Sequence, residues 1–346
     1  MNYKELVLLI GKMLSLSHKD EHKNEIESLI SNDDIDWEKV VQLSTKHYVL
    51  PAIYCNLKKV GLLEKLPDDL VKFMTHITDL NRERNQKIKA QCDELHKILS
   101  DHGISFTYVK GSAMILQNLF QDPAERMIGD IDLLLGKKDL QKAFEILQKG
   151  GYIEMGKDEI LMPTERHLPR LVNDKYEAAV EIHSDVLRHP FNKQLSGEDI
   201  LFRSFRESGK TFPHLNDQLI LSIAASQVND YAYEKGSFNL RSIYDGFILR
   251  QKGAVLSNDK NDLLKIVSDY LEFSDYALGI YHKIEVEDSD YLKYMKRILS
   301  DDVFRKGERH KQDQKLYFTT RLLIISRLFR SKAYRIWLWK RIKNIF

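Results

Sequence analysis

Apolar side chains recur at helical spacing through the first hundred residues. One stripe, with intervals of three or four residues, consists of Ile88, Cys92, Leu95 and Leu99. Gly103 follows this stripe and predicts the end of its helix. An earlier amphipathic stretch over residues 36–61 is interrupted at Pro51. We therefore predict an N-terminal helical region over residues 1–103.

The pattern changes at residue 104. "ISFTYVK" is rich in β-branched and aromatic residues and predicts a strand, and "AMILQNLF" beyond the Gly-Ser pair predicts a helix. The next predicted elements are a strand in "RMIGDIDLLL", a helix in "KKDLQKAFEILQKGG" and strands in "YIEM" and "AAVEIHSDVL". This order predicts a mixed α/β core over residues 104–198.

Helical periodicity returns at about Asp199 and continues to the end of the chain. We assign residues 199–346 to a C-terminal helical region. The predicted fold class is therefore α/β (α+β), with a mixed-sheet core between two helical flanks.

Composition narrows the class of protein. With 346 residues, 43% apolar, 30% charged and a formal charge of +2, the chain predicts an ordinary globular protein without strong bulk attraction to polyanions. Its two cysteines lie outside any metal-binding spacing. Glu5 interrupts the apolar N-terminus, no cleavage site follows, and no apolar run reaches about 18 residues. These features favour a cytoplasmic location.

The last 32 residues, 315–346, differ from the rest of the chain. They hold nine Lys/Arg and no Asp/Glu, which leaves 44 basic and 51 acidic residues elsewhere. Apolar and cationic residues alternate, with Trp337 and Trp339 among them. Two interpretations stay open: peripheral contact with an anionic membrane, or a terminal helix with solvated arginines. DNA is not an expected partner, because the core is acidic and carries no nucleic-acid-binding motif.

An acidic pair marks the second predicted strand. Asp130 and Asp132 would share one face of it, roughly 7 Å apart, because alternate side chains of a strand point the same way. Their mutual repulsion predicts a cationic partner, most simply a divalent metal such as Mg²⁺. The alternative is a strand end that emerges into solvent.

A third acid lies on the last predicted strand. Glu181 and His183 would share a face, and Glu181 joins the acidic pair if the two strands are neighbours. Three half-buried carboxylates would indicate a metal site. We expect His183 to orient Glu181 or to line the site, because the histidines His167, His189 and His214 have no ligand spacing around it. Two further acids, Asp185 and Asp245, are secondary candidates for the site, and the favoured interpretation places them on helix surfaces.

A junction between strand and helix precedes these acids. Lys110 ends the predicted strand, Gly111 and Ser112 form a turn, and a helix begins there. A helix N-terminus with a glycine can bind a phosphate, although such junctions are also ordinary turns with an N-cap. Arg126 either contacts phosphate or neutralises the acidic pair through a salt bridge.

Together, "ISFTYVKGSAM", "RMIGDIDLLL" and "VEIHSDV" resemble the DNA polymerase β-type nucleotidyltransferase superfamily. More narrowly, they resemble the uncharacterised bacterial nucleotidyltransferase family 5, with a Lys-Gly turn, an Arg before the Gly-Asp-hydrophobic-Asp strand and an acid-hydrophobic-His strand. The similarity extends over roughly residues 104–187, and it implies a nucleotidyltransferase-type sheet.

The resemblance implies Mg²⁺-dependent transfer of a nucleoside monophosphate from an NTP, with ATP the expected donor, to a hydroxyl group. Two Mg²⁺ ions would be held by the catalytic acids Asp130, Asp132 and Glu181. The cofactor-binding residues would be Lys110, Gly111, Ser112 and Arg126. A small molecule, a protein hydroxyl and an RNA end all stay open as the acceptor.

A second function class is a non-catalytic module. A degenerate nucleotidyltransferase fold could bind a nucleotide without turnover, or hold a partner with its helical flanks. Binding of Mg²⁺·NTP without transfer of the α-phosphate would favour this alternative.

Overall fold

Helices surround a small central sheet in the computed structural model, which describes residues 1–155, 166–257, 260–281 and 287–330, together with 335 and 339. The N-terminal helices are α1 (Tyr3–Ser15), α2 (Asp20–Ser31), α3 (Trp37–Lys46), α4 (Leu50–Lys59) and α5 (Asp68–Asp101). The core contributes α6 (Lys110–Leu116) and α7 (Leu140–Lys149). The C-terminal helices are α8 (Gly197–Arg203), α9 (Leu215–Ala224), α10 (Leu240–Gln251), α11 (Asp262–Ala277), α12 (Asp290–Ser300) and α13 (Asp302–Arg330).

The central sheet is mixed. Its strands are β1 (Phe106–Val109), β2 (Asp130–Leu135), β3 (Ile153–Glu154), β4 (Leu171–Val172) and β5 (Ala179–His183). They lie in the order β1-β2-β5-β4-β3, in which β2 and β5 are parallel and the other neighbours are antiparallel. The predicted mixed-sheet core between helical flanks is thereby confirmed.

Pairing of β2 with β5 decides where the acidic side chains lie. In the parallel register, Asp132 is the partner of Glu181, and Asp130 is the partner of Ala179. Ile131, Leu133 and Leu135 are buried on the face opposite the acids, so a shift by one residue would turn Asp130 and Asp132 into that apolar face and is disfavoured. Burial of the leucines therefore fixes the acids at the same edge of the sheet.

A hairpin lies within the region predicted to be helical. Strands β6 (Phe205–Glu207) and β7 (Lys210–Phe212) pair antiparallel across Ser208 and Gly209. Both turn residues have positive φ, of 47° and 82°, as a tight hairpin turn requires. The prediction of continuous helix from about Asp199 is wrong here, because the Ser-Gly turn outweighs the helical periodicity on either side.

The two helical flanks also contact each other. A Cβ added at Gly11 of α1 would lie 1.8 Å from the carbonyl oxygen of Ala277, at the end of α11. Ser15 Oγ donates a hydrogen bond to the carbonyl oxygen of Leu278 at 3.2 Å, and His22 Nε2 lies 3.2 Å from that of Gly279. The predicted domain boundaries stay predictions, but α1, α2 and α11 form one packed layer.

Fourteen of the 32 residues of the basic segment 315–346, for which membrane contact is one of the two interpretations, lie outside the described residues. Helix α13 reaches Arg330, and beyond it only residues 335 and 339 are described. Within the described part of the chain, no helix combines the length and apolar character needed to span a bilayer. Peripheral membrane contact stays a prediction.

Candidate active site

A cavity of about 410 Å³ lies between the sheet and helices α9 and α10. One wall, here called the carboxylate wall, consists of Asp130, Asp132 and Glu181 with the cations Lys110 and Arg170. A second group of lining residues, here called the arginine wall, consists of Arg126, Arg241 and Asp245. Of the seven predicted site residues, all except Ser112 line this cavity.

The three predicted acids converge. Asp132 and Glu181 are direct partners on adjacent strands, and Asp130 lies two residues before Asp132 on the same face of β2. Asp132, Glu181 and His183 each offer a ligand atom within 4.8 Å of the other two. The prediction that the two strands are neighbours is confirmed. The side chains of Asp132, Glu181 and His183 form a group that could hold a metal ion.

His183 is placed between two of these acids. Its Nε2 lies 2.8 Å from Asp132 Oδ1 and 3.3 Å from Glu181 Oε2. The ring is buried, and its Nδ1 has no hydrogen-bond partner among the described residues. With a proton on Nε2, the imidazole holds both carboxylates in place, which agrees with the predicted role of orienting Glu181. Metal binding at Nε2 would require the other tautomer, with the proton on Nδ1.

Two cations neutralise the carboxylates. Lys110 Nζ lies 2.5 Å from Asp132 Oδ1. Arg170 donates from Nε and Nη2 to Glu181 Oε1, at 2.9 and 2.6 Å, and its Nη2 also lies 2.9 Å from Asp130 Oδ2. Arg170 is absent from the sequence prediction because it directly precedes β4, a two-residue strand that hydrophobic periodicity does not reveal.

Burial and neighbouring charges shift the pKa values of the acids in opposite directions. Burial raises the pKa of Asp130, and the charge of Asp132 raises it further. Burial alone would raise the pKa of Asp132, but the Lys110 ammonium and the His183 hydrogen bond outweigh it and lower that pKa. The pKa of Glu181 is lowered against burial by His183, Lys110 and Arg170. Asp132 and Glu181 are therefore ionised at neutral pH.

The strand-to-helix junction differs from a simple phosphate-binding turn. Helix α6 begins at Lys110, whose φ of 57° is left-handed and strained for a residue with a side chain. The ion pair with Asp132 helps to hold this conformation. Ser112 is buried, and its hydroxyl donates to the Val109 carbonyl oxygen at 2.9 Å. Lys110 and Gly111 thus line the cavity, while the Ser112 hydroxyl is engaged by its own backbone.

Arg126 pairs across the cavity with a helix that follows the core. Its Nε donates to Asp245 Oδ1 and Oδ2, at 2.7 and 2.9 Å, and both side chains are buried. A Cβ added at Gly111 would lie 3.3 Å from Arg126 Nη2, so the missing side chain makes room for this guanidinium. The alternative in which Arg126 neutralises Asp130 and Asp132 is wrong.

The prediction that Asp185 and Asp245 lie on helix surfaces is also wrong. Asp245 is 2% exposed, on a helix in which nine of twelve residues are buried. Such a helix has no solvent-facing stripe from which the sequence could indicate the environment of one acid. Asp185 is 8% exposed in the loop after β5, and its Oδ1 accepts a hydrogen bond from the Gly197 amide at 2.7 Å.

Comparison with known proteins gives one family. A model described as "uncharacterised nucleotidyltransferase" matches residues 33–270. This range contains both walls of the cavity and excludes α12 and α13. No curated protein and no solved structure gives a significant match.

Proposed function

The chain belongs to the uncharacterised nucleotidyltransferase family, and from this premise we propose that it transfers a nucleoside monophosphate from an NTP to a hydroxyl group. The acceptor oxygen forms a bond to the α-phosphorus and releases its proton to water, the bond to the β-phosphate breaks, and pyrophosphate leaves. The convergence of Asp130, Asp132 and Glu181 on one edge of the sheet is the observation that carries this proposal.

The donor set fits Mg²⁺. Carboxylate oxygens are the ligands that this hard cation prefers, and three of them meet in a cavity that is open to a substrate. When bound by Asp130, Asp132 and Glu181, two Mg²⁺ ions would supply Lewis-acid stabilisation to the attacking and leaving oxygens. The lowered pKa of Glu181 makes this carboxylate a weak base, so we assign it to metal binding rather than to proton transfer.

The other side chains bind and orient. His183 holds Asp132 and Glu181 at a fixed separation. Lys110 and Arg170 neutralise the carboxylates in the absence of a metal, and both are long enough to turn toward a substrate phosphate instead. Gly111 leaves room for the Arg126 guanidinium at the edge of the cavity.

Loss of one central carboxylate tests the proposal. Asp132→Asn should lower Mg²⁺-dependent transfer at least about 100-fold, because charge stabilisation at a reacting phosphate is a large part of such catalysis. Transfer can be measured as the label that passes from each of four α-labelled NTPs to acceptors in a cell lysate, which also identifies the preferred base and tests ATP.

Glu177→Gln is the matched control. Glu177 precedes β5, the neighbour of the Asp132 strand, is exposed and pairs with Lys87 on the surface, so its variant should transfer label at the wild-type rate. Both variants should keep the melting temperature of the wild type to within a few degrees. Undiminished transfer by Asp132→Asn would rule out the assigned role.

One observation favours a second candidate, a nucleotide-binding module without turnover. Lys110 and Arg170 already pair with all three carboxylates and balance two of their three charges without a metal. Calorimetric binding of Mg²⁺·NTP, with no label transferred to any lysate component, would select this function instead.

A further inference from the structure

The arginine wall carries more positive than negative charge. Arg126 and Arg241 both line the cavity there, and Asp245 is the carboxylate between them. Asp245 pairs with Arg126. The Arg241 guanidinium therefore has no ion-pair partner among the described residues, and the carboxylates of Asp245 and Asp130 act on it only from a distance.

The contacts of Arg241 are weak ones. Its Nη1 lies 3.4 Å from the Met127 carbonyl oxygen, and its guanidinium carbon lies 5.1 Å from the centre of the Tyr48 ring. Arg126 Nη1 donates to the same Met127 oxygen, so the two guanidiniums converge on one carbonyl group. Burial, with the nearby Arg126 charge, lowers the pKa of Arg241 to about 10, which still leaves it charged at neutral pH.

A partly buried cation without a counter-ion is costly, and an anion that enters the cavity relieves that cost. Arg126 adds free donors to the same wall, because its Nη2 donates to none of the described residues. Two adjacent guanidiniums with unused N–H groups match the oxygens of a phosphate chain, to which arginine can donate pairs of hydrogen bonds.

We propose that Arg241, together with Arg126, binds the polyphosphate chain of the nucleotide. This inference rests on the proposed function and assigns the phosphate contacts mainly to the arginine wall, since the Ser112 hydroxyl is already engaged and α6 has only seven residues. The two walls then complement the two parts of a metal–NTP complex, with the carboxylates toward the metal and the guanidiniums toward the phosphates.

The test uses inorganic tripolyphosphate as the probe and isothermal calorimetry in EDTA, so that it needs neither metal nor turnover. Arg241→Gln should weaken tripolyphosphate binding about 10- to 100-fold, the range expected for loss of a charge-assisted hydrogen-bond pair. Arg241→Lys should recover part of the affinity, because it restores the charge without the planar fork.

Arg250→Gln is the matched control. Arg250 lies on the same helix α10 but pairs with Asp275 and does not line the cavity. Its variant should bind tripolyphosphate as the wild type does. Circular dichroism and melting temperature should show that all three variants are folded.

A competition experiment shows whether the bound phosphate chain is that of the NTP or that of a phosphorylated acceptor. Tripolyphosphate should displace α,β-methylene ATP from the wild-type protein. Wild-type affinity in Arg241→Gln would overturn the inference, and so would binding at Arg241 without displacement, which would assign the subsite to a phosphorylated acceptor. The two proposals can also fail separately. If Arg241→Gln loses tripolyphosphate binding but the wild-type protein transfers no label, the phosphate subsite is supported and the transferase function is contradicted.

Discussion

At the scale of single residues, Arg170 lowers the net negative charge of the carboxylate cluster Asp130, Asp132 and Glu181. Its guanidinium contacts Asp130 and Glu181 at once, where a divalent cation is proposed to bind. A metal ion must displace this guanidinium, so metal affinity is lowered by the free energy of the existing pairs. Because the Arg170 side chain is 42% exposed, water screens part of that interaction.

Replacement of Arg170 should therefore strengthen metal binding. Arg170→Met is expected to raise the affinity for Mn²⁺, in the absence of nucleotide, several-fold to about 10-fold, since exposed pairs contribute up to about 1 kcal/mol. Electron paramagnetic resonance of free Mn²⁺ measures this directly. Arg166→Met is the control, because Arg166 lines the same cavity but donates only to the Val186 carbonyl oxygen among the described residues. Equal effects of the two variants would contradict a direct competition.

Residue patterns in the sequence predict the three acids of the carboxylate wall and Arg126, but not Arg241 of the arginine wall. Asp130, Asp132 and Glu181 lie on two short strands whose alternation fixes the face of each side chain. Arg241 and Asp245 lie on a helix that is buried almost all round, so no periodic signal distinguishes the side that meets the cavity. Contacts over a hundred residues apart, such as Arg126 with Asp245, depend on tertiary packing that a single sequence does not display.

At the scale of elements, helix α1 approaches α11 at a glycine. The chain at Gly11 lies so close to the Ala277 carbonyl oxygen that a methyl group has no room. The nearest atoms belong to the backbone of Ala277 and Leu278, which cannot move aside as the end of a flexible side chain can. Helices α1 and α11 must therefore separate to accept a larger residue at position 11.

Gly11→Ala should lower the free energy of unfolding by about 1–3 kcal/mol or more, although alanine is the better helix former. Gly307→Ala is the control, because Gly307 also lies in a helix, α13, and nothing lies within 4 Å of an added Cβ. That variant should be neutral or up to about 1 kcal/mol more stable. Urea denaturation of both gives the comparison, and a stable Gly11→Ala protein would show that the two helices can move apart freely.

Sequence patterns predict the short strand β3, within "YIEM", but miss the short strands β4, β6 and β7. The periodicity of residues 140–149 predicts α7 at almost its observed length, because ten residues allow a full apolar stripe. Two or three residues, as in β4, β6 and β7, are too few to show alternation. These strands exist because a turn or a neighbouring strand supplies their hydrogen bonds.

At the scale of the whole molecule, His47 joins the N-terminal helices to α10. The buried ring stacks on Phe238 at 5.4 Å, and its Nδ1 accepts a hydrogen bond from the Leu240 amide at 3.3 Å. Burial, with a smaller effect of Lys46, lowers the pKa of His47 to about 4. The folded protein therefore keeps this histidine neutral where the unfolded chain protonates it.

The pH dependence of stability follows from that difference. Neutral His47 contributes up to about 3 kcal/mol to the free energy of unfolding. This contribution is fully present above pH 6.5 and is lost as the pH falls toward 4. His47→Asn, which keeps an acceptor for the Leu240 amide, should flatten the fall in melting temperature between pH 6.5 and 4. His76→Gln, on an exposed histidine of α5, serves as the control. An unchanged slope in His47→Asn would mean that other groups cause acid unfolding.

The Arg126–Asp245 pair also sets an order of events during synthesis. The ribosome releases β2 and β5 well before α10, so the carboxylates can meet their lysine and arginine while Arg126 still has no carboxylate opposite it. The nascent chain would therefore complete the carboxylate wall early. The arginine wall would be complete only after about sixty more residues had emerged, and until then Arg126 would stay in water.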